Sequence, residues 1–192
     1  VTRPDLTVVV ACGDGDGYSI GGNHFLHACR RNIDMTYVVM DNHIYGMTKG
    51  QPSPSTEPEF DTALAPGGTG VRPFHPLVVA LASGANFIAR CFSGEPNETA
   101  DVLVEAIKHP GFSFVEILSP CVTFRPDERA WKDQVRPAPV SATNDQGKAA
   151  RRLMTDDGFN LGILYRGNRA PFQSSVMAKD VDLSELEKDF EL

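Results

Sequence analysis

No run of apolar residues in this 192-residue chain approaches the roughly 18 to 20 that cross a bilayer as a helix. The first residues, Val1-Thr2-Arg3-Pro4-Asp5, lack the basic and apolar regions of a secretory leader. The expectation is a protein outside the membrane and not secreted. Basic residues are also short, 18 Lys+Arg against 25 Asp+Glu for a net charge of -7. A chain with that deficit does not neutralise phosphates by bulk charge, so nucleic acid is excluded as a partner. The four cysteines, Cys12, Cys29, Cys91 and Cys121, form no C-x-x-C pair, which argues against a disulfide framework and for a reducing compartment, the cytoplasm by default. The 41% of hydrophobic residues suffices for the core of one domain spanning 1–192. The chain starts at Val1, without an initiator Met, and soon enters a strand; a trimmed N-terminus is therefore expected.

Leu6 to Ala11 is a β-branched, nearly uninterrupted apolar run, the pattern of a strand buried on both faces of a parallel sheet. It ends at Gly13-Asp14-Gly15-Asp16-Gly17, and a helix is expected from about Ser19 to Arg31, with Arg30 and Arg31 suited to its C-terminus. Met35 to Met40 reads as a second buried strand, stopping at Asp41-Asn42. From about His43 to Pro76 the chain is rich in Gly, Pro, Ser and Thr without a period, so a long irregular segment is expected, and such loops are usually functional. Helix at 77–83, strand at 86–90, helix at 97–108 and strand at 112–118 follow. This alternation predicts an α/β fold, a mostly parallel sheet flanked by helices with ligands beyond the C-terminal strand ends. The polar stretch from Arg125 to Lys148 reads as a surface excursion, followed by a short helix at 148–154 and a late strand at 160–165. The tail from about residue 168 is expected to be peripheral, acidic and weakly helical near its end.

Gly13-Asp14-Gly15 follows one strand and Asn42 follows the next, 28 positions after Asp14. The Asp14 carboxylate, the Asn42 amide oxygen and a carbonyl at Ile44 are the hard oxygen donors that Mg²⁺ takes, with substrate phosphates among its other ligands. The glycines allow backbone N–H groups to approach a diphosphate closely. A plain Gly-Asp turn accounts for the first triplet alone, but not for the pair of loops together. A dinucleotide fingerprint is excluded because Gly13-Asp14-Gly15-Asp16-Gly17-Tyr18 breaks the G-x-G-x-x-G spacing. A calcium loop starting at Asp14 is excluded by Tyr18, Ser19 and Phe25 at its fifth, sixth and twelfth positions. His24 and His27 sit three apart on the first helix without a third ligand at matching spacing, so capping or packing is the better reading. Asn97-Glu98-Thr99 has the glycosylation spacing and reads as a helix-start turn.

The fuller wording Gly13-Asp14-Gly15-Asp16-Gly17-Tyr18-Ser19-Ile20-Gly21-Gly22-Asn23-His24, with Asp41-Asn42-His43-Ile44-Tyr45-Gly46-Met47-Thr48-Lys49-Gly50-Gln51-Pro52-Ser53-Pro54, resembles the thiamine diphosphate-binding β subunit of the 2-oxoacid:ferredoxin oxidoreductases. The likeness continues through Leu118-Ser119-Pro120-Cys121-Val122-Thr123-Phe124 and loosely through 162–166, and is weakest from Pro126 to about Asp157. It implies a thiamine diphosphate-binding fold. Asp14, Asn42 and the Ile44 carbonyl would hold Mg²⁺, and Gly13, Gly15, Asp16, Gly46, Met47 and Thr48 would line the diphosphate site. Lys49 reads by its own chemistry as a solvated lysine; the resemblance makes it a recognition group for the 2-oxoacid carboxylate. Cys121 reads alone as a buried small hydrophobe; the resemblance makes it the fourth ligand of a 4Fe-4S cluster whose other three cysteines have no counterpart here. Further implications are an α partner subunit supplying the catalytic acid, ferredoxin as electron acceptor, coenzyme A as co-substrate, and 2-oxoglutarate or pyruvate as the 2-oxoacid. A non-redox thiamine diphosphate decarboxylase or synthase, and a non-catalytic α/β scaffold, stay open as alternatives.

Overall fold

The computed structural model describes residues 5–173. The chain alternates strand and helix: β1 (Val9–Gly13), a single π-turn (Asp16–Ile20), α1 (Gly22–Arg31), β2 (Met35–Asp41), the short pair β3 (Ile44–Tyr45) and β4 (Gln51–Pro52), α2 (Pro76–Ser83), β5 (Phe87–Phe92), α3 (Pro96–Lys108), β6 (Phe112–Leu118), α4 (Trp131–Gln134), β7 (Arg136–Pro137), α5 (Gln146–Met154) and β8 (Asn160–Arg166). Six strands form one sheet in the order β1-β2-β6-β5-β8-β7. β1, β2, β6 and β5 are parallel neighbours, β8 runs antiparallel to β5, and β7 pairs parallel with β8. The mostly parallel sheet flanked by helices is the architecture that the alternation predicted.

Residue alternation along β2 divides the core into two layers. Val39 points with Phe112, Phe114 and Ile88 into a layer roofed by α1, α2 and α5, which contribute Phe25, Leu77, Leu81, Ala149 and Leu153. Val38 points the other way, with Phe87, Ala89, Val115 and Ile117, against Ala106, Val102 and Leu103 of α3. β5 and β6 are buried along their whole length because helices cover both of their faces.

Three expectations need correction. β1 is an edge strand: among the described residues it pairs only with β2, and Val9 is 49% exposed. The first helix does not run unbroken from Ser19; the π-turn occupies its start and α1 begins at Gly22. The stretch from Arg125 is a surface excursion only in part: most of 126–148 is exposed, but Arg125, Glu128 and Trp131 are buried. Charged side chains go inside there by pairing with one another. Residues 169–172 are stitched to the body: Asn32 Nδ2 donates to the Ala170 carbonyl, Arg169 N donates to Asn86 Oδ1, and Phe172 N donates to the Asn32 carbonyl. The acidic end of the expected tail lies outside the described residues.

Candidate functional site

The site is built where β1, β2 and β6 end side by side. Gly13 closes β1 opposite Met40, Asp41 closes β2 opposite Leu118, and Ser119 N donates to the Asp41 carbonyl at 2.7 Å, so the three exit loops leave together. Strand ends of a parallel sheet collect loops this way because each parallel crossover brings the chain back to the N-terminal end of the next strand. The loops enclose a cavity of about 600 Å³. Gly13, Asp14, Gly15, Asp16, Asn42, Ile44, Gly46, Met47, Thr48 and Cys121 all line it, so ten of the residues singled out in the sequence meet in one place. Lys49 is not among them: it is exposed at the end of the 3-10 turn Gly46–Thr48, with φ of 69°. Ile20, Tyr45, Thr123 and Phe124 also line the cavity and were not anticipated.

Tyr45 fixes how closely the two glycine-bearing loops approach. Its hydroxyl donates to the Gly15 carbonyl at 3.0 Å, and a Cβ on Gly15 would lie 2.0 Å from its ring. Glycine is required at 15 because the tyrosine ring occupies the space of any side chain. Asn42 Oδ1 accepts from Ile44 N at 3.2 Å, a tight Asx turn after β2. The ladder partner of Ile44 is Pro52, which has no N–H, so that partner makes no claim on the Ile44 carbonyl.

Asp14 is 3% exposed, and two serines from the Pro/Ser loop hold it. Ser53 Oγ donates to Asp14 Oδ2 at 2.5 Å, and Ser55 Oγ lies 2.8 Å from the same oxygen. Ser55 Oγ also stands 2.7 Å from Asp41 Oδ1. The single Ser55 hydroxyl proton is thus shared between two carboxyl groups. Burial, with Glu116 and Asp14 close by, pushes Asp41 up to about 7 despite the charge of His43. Thr56 Oγ1 donates to the His43 carbonyl and accepts from Ser53 N, closing the loop on itself.

A second layer of charge supports the loops from behind. His43 Nδ1 meets Glu57 Oε1 at 3.2 Å, and Arg125 reaches Glu57 at 2.8 Å, Asp127 at 2.9 Å and Glu128 at 3.6 Å. Glu128 Oε2 accepts from Cys121 N at 2.9 Å. Burial opposes a charged His43, yet the hydrogen bond to Glu57 and the charge of Asp41 hold its pKa up at about 9. Glu57, against its own partial burial, is held down at about 2 by His43 and Arg125. Burial raises Glu128 to about 7 although Cys121 N–H and Arg125 both favour its charged form. On the far side of Asp41 a smaller cavity of about 260 Å³ carries Arg90, which pairs with Glu116 at 2.5 Å and with Asp156.

The donor set fits a Mg²⁺ diphosphate complex. It offers one carboxylate, one amide oxygen and one backbone carbonyl, all oxygen, beside a cavity with room for a cofactor. Asp14 Oδ1 takes no hydrogen bond among the described residues, since both serines use Oδ2. An iron-sulfur cluster does not fit these residues alone. Cys121 sits beside Gly46, its Sγ 3.5 Å from where a Cβ on that glycine would be. Cys29 is buried in the α1 layer, Cys91 in the α3 layer on the opposite face of the sheet, and Cys12 Sγ donates to Tyr37 Oη at 3.2 Å. Among the described residues no three His, Cys, Asp or Glu side chains are grouped for a metal, and His24 and His27 are exposed on α1.

Residues 1–117 match the family model described as thiamine pyrophosphate enzyme, C-terminal TPP binding domain. The 2-oxoglutarate synthase subunit KorB of Archaeoglobus fulgidus is 47% identical over 123 residues, which is 64% of this chain and 46% of that one. The 2-oxoacid:ferredoxin oxidoreductase subunit beta of Saccharolobus solfataricus is 32% identical over 181 residues, 86% of this chain and 59% of that one. Among solved structures, the 2-oxoglutarate:ferredoxin oxidoreductase from Magnetococcus marinus with 2-oxoglutarate, coenzyme A and succinyl-CoA bound superposes with a TM-score of 0.83 at 39% identity, over 98% of this chain and 64% of that one. The chain thus spans about half the length of the curated relatives it matches.

Proposed function

This chain belongs to the thiamine pyrophosphate enzyme family, in its C-terminal TPP-binding domain, and from that premise we propose that it is the cofactor-binding part of the β subunit of a 2-oxoacid:ferredoxin oxidoreductase. The observation that carries the proposal is the convergence of Asp14, Asn42, Ile44 and Cys121 on one cavity at three neighbouring strand ends. The reaction is CoA-dependent oxidative decarboxylation of a 2-oxoacid to an acyl-CoA, CO₂ and reduced ferredoxin, or its reversal. The names of the relatives and the 2-oxoglutarate in the solved neighbour favour 2-oxoglutarate over pyruvate.

Asp14 through Oδ1, the Asn42 amide oxygen and the Ile44 carbonyl would hold Mg²⁺, and the backbone at Gly13, Gly15, Asp16, Gly46, Met47 and Thr48 would cradle the diphosphate. Bound thiamine diphosphate supplies a carbon nucleophile and an electron sink for the decarboxylation. The protein's share is orientation and charge. Tyr45 sets the gap between the loops, the serines aim Asp14, and Lys49, exposed one residue beyond the cavity-lining Thr48, would offer a cation to the 2-oxoacid carboxylate. Cys121 would be one ligand of a 4Fe-4S cluster whose remaining cysteines come from outside these residues. An α subunit completes the active site, ferredoxin takes the electrons, and the cytoplasm is the compartment. No helix among the described residues is long and apolar enough to cross a membrane.

The test uses the full-length protein purified anaerobically with its α partner. About four iron atoms per β subunit, largely lost in Cys121→Ser, together with CoA-dependent dye reduction driven by 2-oxoglutarate, support the reading. Thiamine diphosphate retained without iron moves the assignment to a non-redox decarboxylase or synthase. Neither cofactor nor iron leaves a non-catalytic scaffold.

A further inference from the structure

Asp14 presents its two oxygens to different surroundings. Oδ2 meets two hydroxyls, Ser53 Oγ at 2.5 Å and Ser55 Oγ at 2.8 Å, while Oδ1 has no hydrogen-bond partner among the described residues. A carboxylate oxygen has about two lone-pair directions. Ser53 takes one of those on Oδ2, and Ser55, which also stands 2.7 Å from Asp41 Oδ1, faces the other, so that oxygen cannot turn to a cation without displacing a hydroxyl. The serines cannot easily follow it. Ser53 and Ser55 are 8% and 5% exposed, and Ser53 N donates to Thr56 Oγ1 at 2.7 Å. Thr56 Oγ1 in turn donates to the carbonyl of His43, next in the chain after Asn42. The two serines and the two loops carrying the oxygen donors form one hydrogen-bonded unit.

We propose that Ser53 and Ser55 are specificity-determining residues that confine Asp14 to monodentate ligation through Oδ1 and so select a small octahedral cation, Mg²⁺, over Ca²⁺. The proposal rests on the reading that Asp14 ligates the metal of the diphosphate site. Its physical basis is the difference between the two cations. Mg²⁺ demands near-ideal octahedral geometry at about 2.0–2.1 Å, with one oxygen from each ligand, whereas Ca²⁺ takes six to eight oxygens at about 2.3–2.6 Å and readily accepts both oxygens of one carboxylate. A carboxylate whose second oxygen is already engaged withholds one of the ligands that Ca²⁺ would gain. Removing both hydroxyls frees Oδ2 as one further oxygen for a larger cation.

The experiment uses the full-length protein with its partner subunit, stripped of metal and supplied with thiamine diphosphate. Bound Mn²⁺ is read by electron paramagnetic resonance, and Mg²⁺ and Ca²⁺ are titrated against it. The wild type is expected to release Mn²⁺ to Mg²⁺ at lower concentration than to Ca²⁺. In Ser53→Ala/Ser55→Ala the ratio of the two displacement constants shifts toward Ca²⁺ by about tenfold, the lower end of what loss of a ligand-orienting partner costs. Ser55→Thr, which keeps the hydroxyl, holds the wild-type ratio. A double alanine variant that binds Mn²⁺ with an unchanged ratio overturns the proposal, as does a wild type that prefers Ca²⁺. Should the double variant lose its fold by circular dichroism, Ser53→Ala alone carries the same measurement. Asp14→Asn tests the underlying reading separately: unimpaired Mn²⁺ binding there means that Asp14 is not the ligand, whatever the serines do.

Discussion

His43 Nδ1 lies 3.2 Å from Glu57 Oε1, joining the residue after Asn42 to the far end of the Pro/Ser loop. The histidine is held at about 9, above its ordinary 6.5, so the pairing is fully present below pH 6.5 and is lost as pH rises through 9. Glu57, held at about 2, keeps its side of the pair until strong acid. Asp41 and Glu128, raised to about 7, act in the same direction, since each is favoured protonated and costs stability as pH climbs from the ordinary carboxylate range through 7. Melting temperature is therefore expected to fall between pH 6 and pH 9. In His43→Gln the part of that fall above pH 6.5 should largely vanish, and an identical slope in the variant would remove His43 as its source.

Gly15→Ala should be costly because the new methyl overlaps the Tyr45 ring, 2.0 Å away. Overpacking of this kind costs about 1–3 kcal/mol. Urea denaturation of Gly15→Ala, Tyr45→Ala and the double variant reads the coupling. The double variant is expected to be more stable than the sum of the two single losses predicts, and simple additivity would show that the two residues do not collide.

Arg125 is 3% exposed and faces Glu128, which is fully buried. Removing one member of a buried pair leaves the other charge without compensation, at about 3 kcal/mol. Arg125→Met is expected to lose that much in chemical denaturation, and Arg125→Met/Glu128→Gln to regain part of it. A double variant no better than the single one would assign the loss to the Phe60 ring beneath the guanidinium, 3.9 Å from it.

Saturating thiamine diphosphate and Mg²⁺ should stabilise the full-length protein by about 2.7 kcal/mol at a hundredfold excess over the dissociation constant. Chelation should reverse the gain, and Asp14→Ala should show none of it. Differential scanning fluorimetry with and without EDTA reads both, and a full shift in Asp14→Ala would remove that residue from the site.

Much of this arrangement is legible in the sequence, for physical reasons that also mark its limits. β6 appears at its expected bounds because Gly111 and Ser119-Pro120 punctuate a run that is apolar but for Ser113 and Glu116. β1 carries the same kind of run yet lies at the edge, because apolar continuity reports burial potential and not the number of neighbours. Asp14 and Asn42 are readable since each follows a strand directly, and Cys121 since it comes three residues after one. Ser53 and Ser55 are not, because a serine in a proline-rich loop looks like any turn residue, and their partner lies 39 and 41 positions earlier. Arg125 and Glu128 misled in the same way: composition shows charge, but not the partners that let charge be buried.

The outer side of β1 has a bearing on handling the protein. Val8-Val9-Val10-Ala11-Cys12 contains no lysine, proline or bulge, the devices by which open strands avoid recruiting another chain. Val9 and Met40, on the helix-poor side of the sheet, add exposed apolar surface next to it. Produced without a covering neighbour, this stretch is a template for intermolecular strand addition, so a lysine at position 9 is the gatekeeper that would keep such a preparation monodisperse.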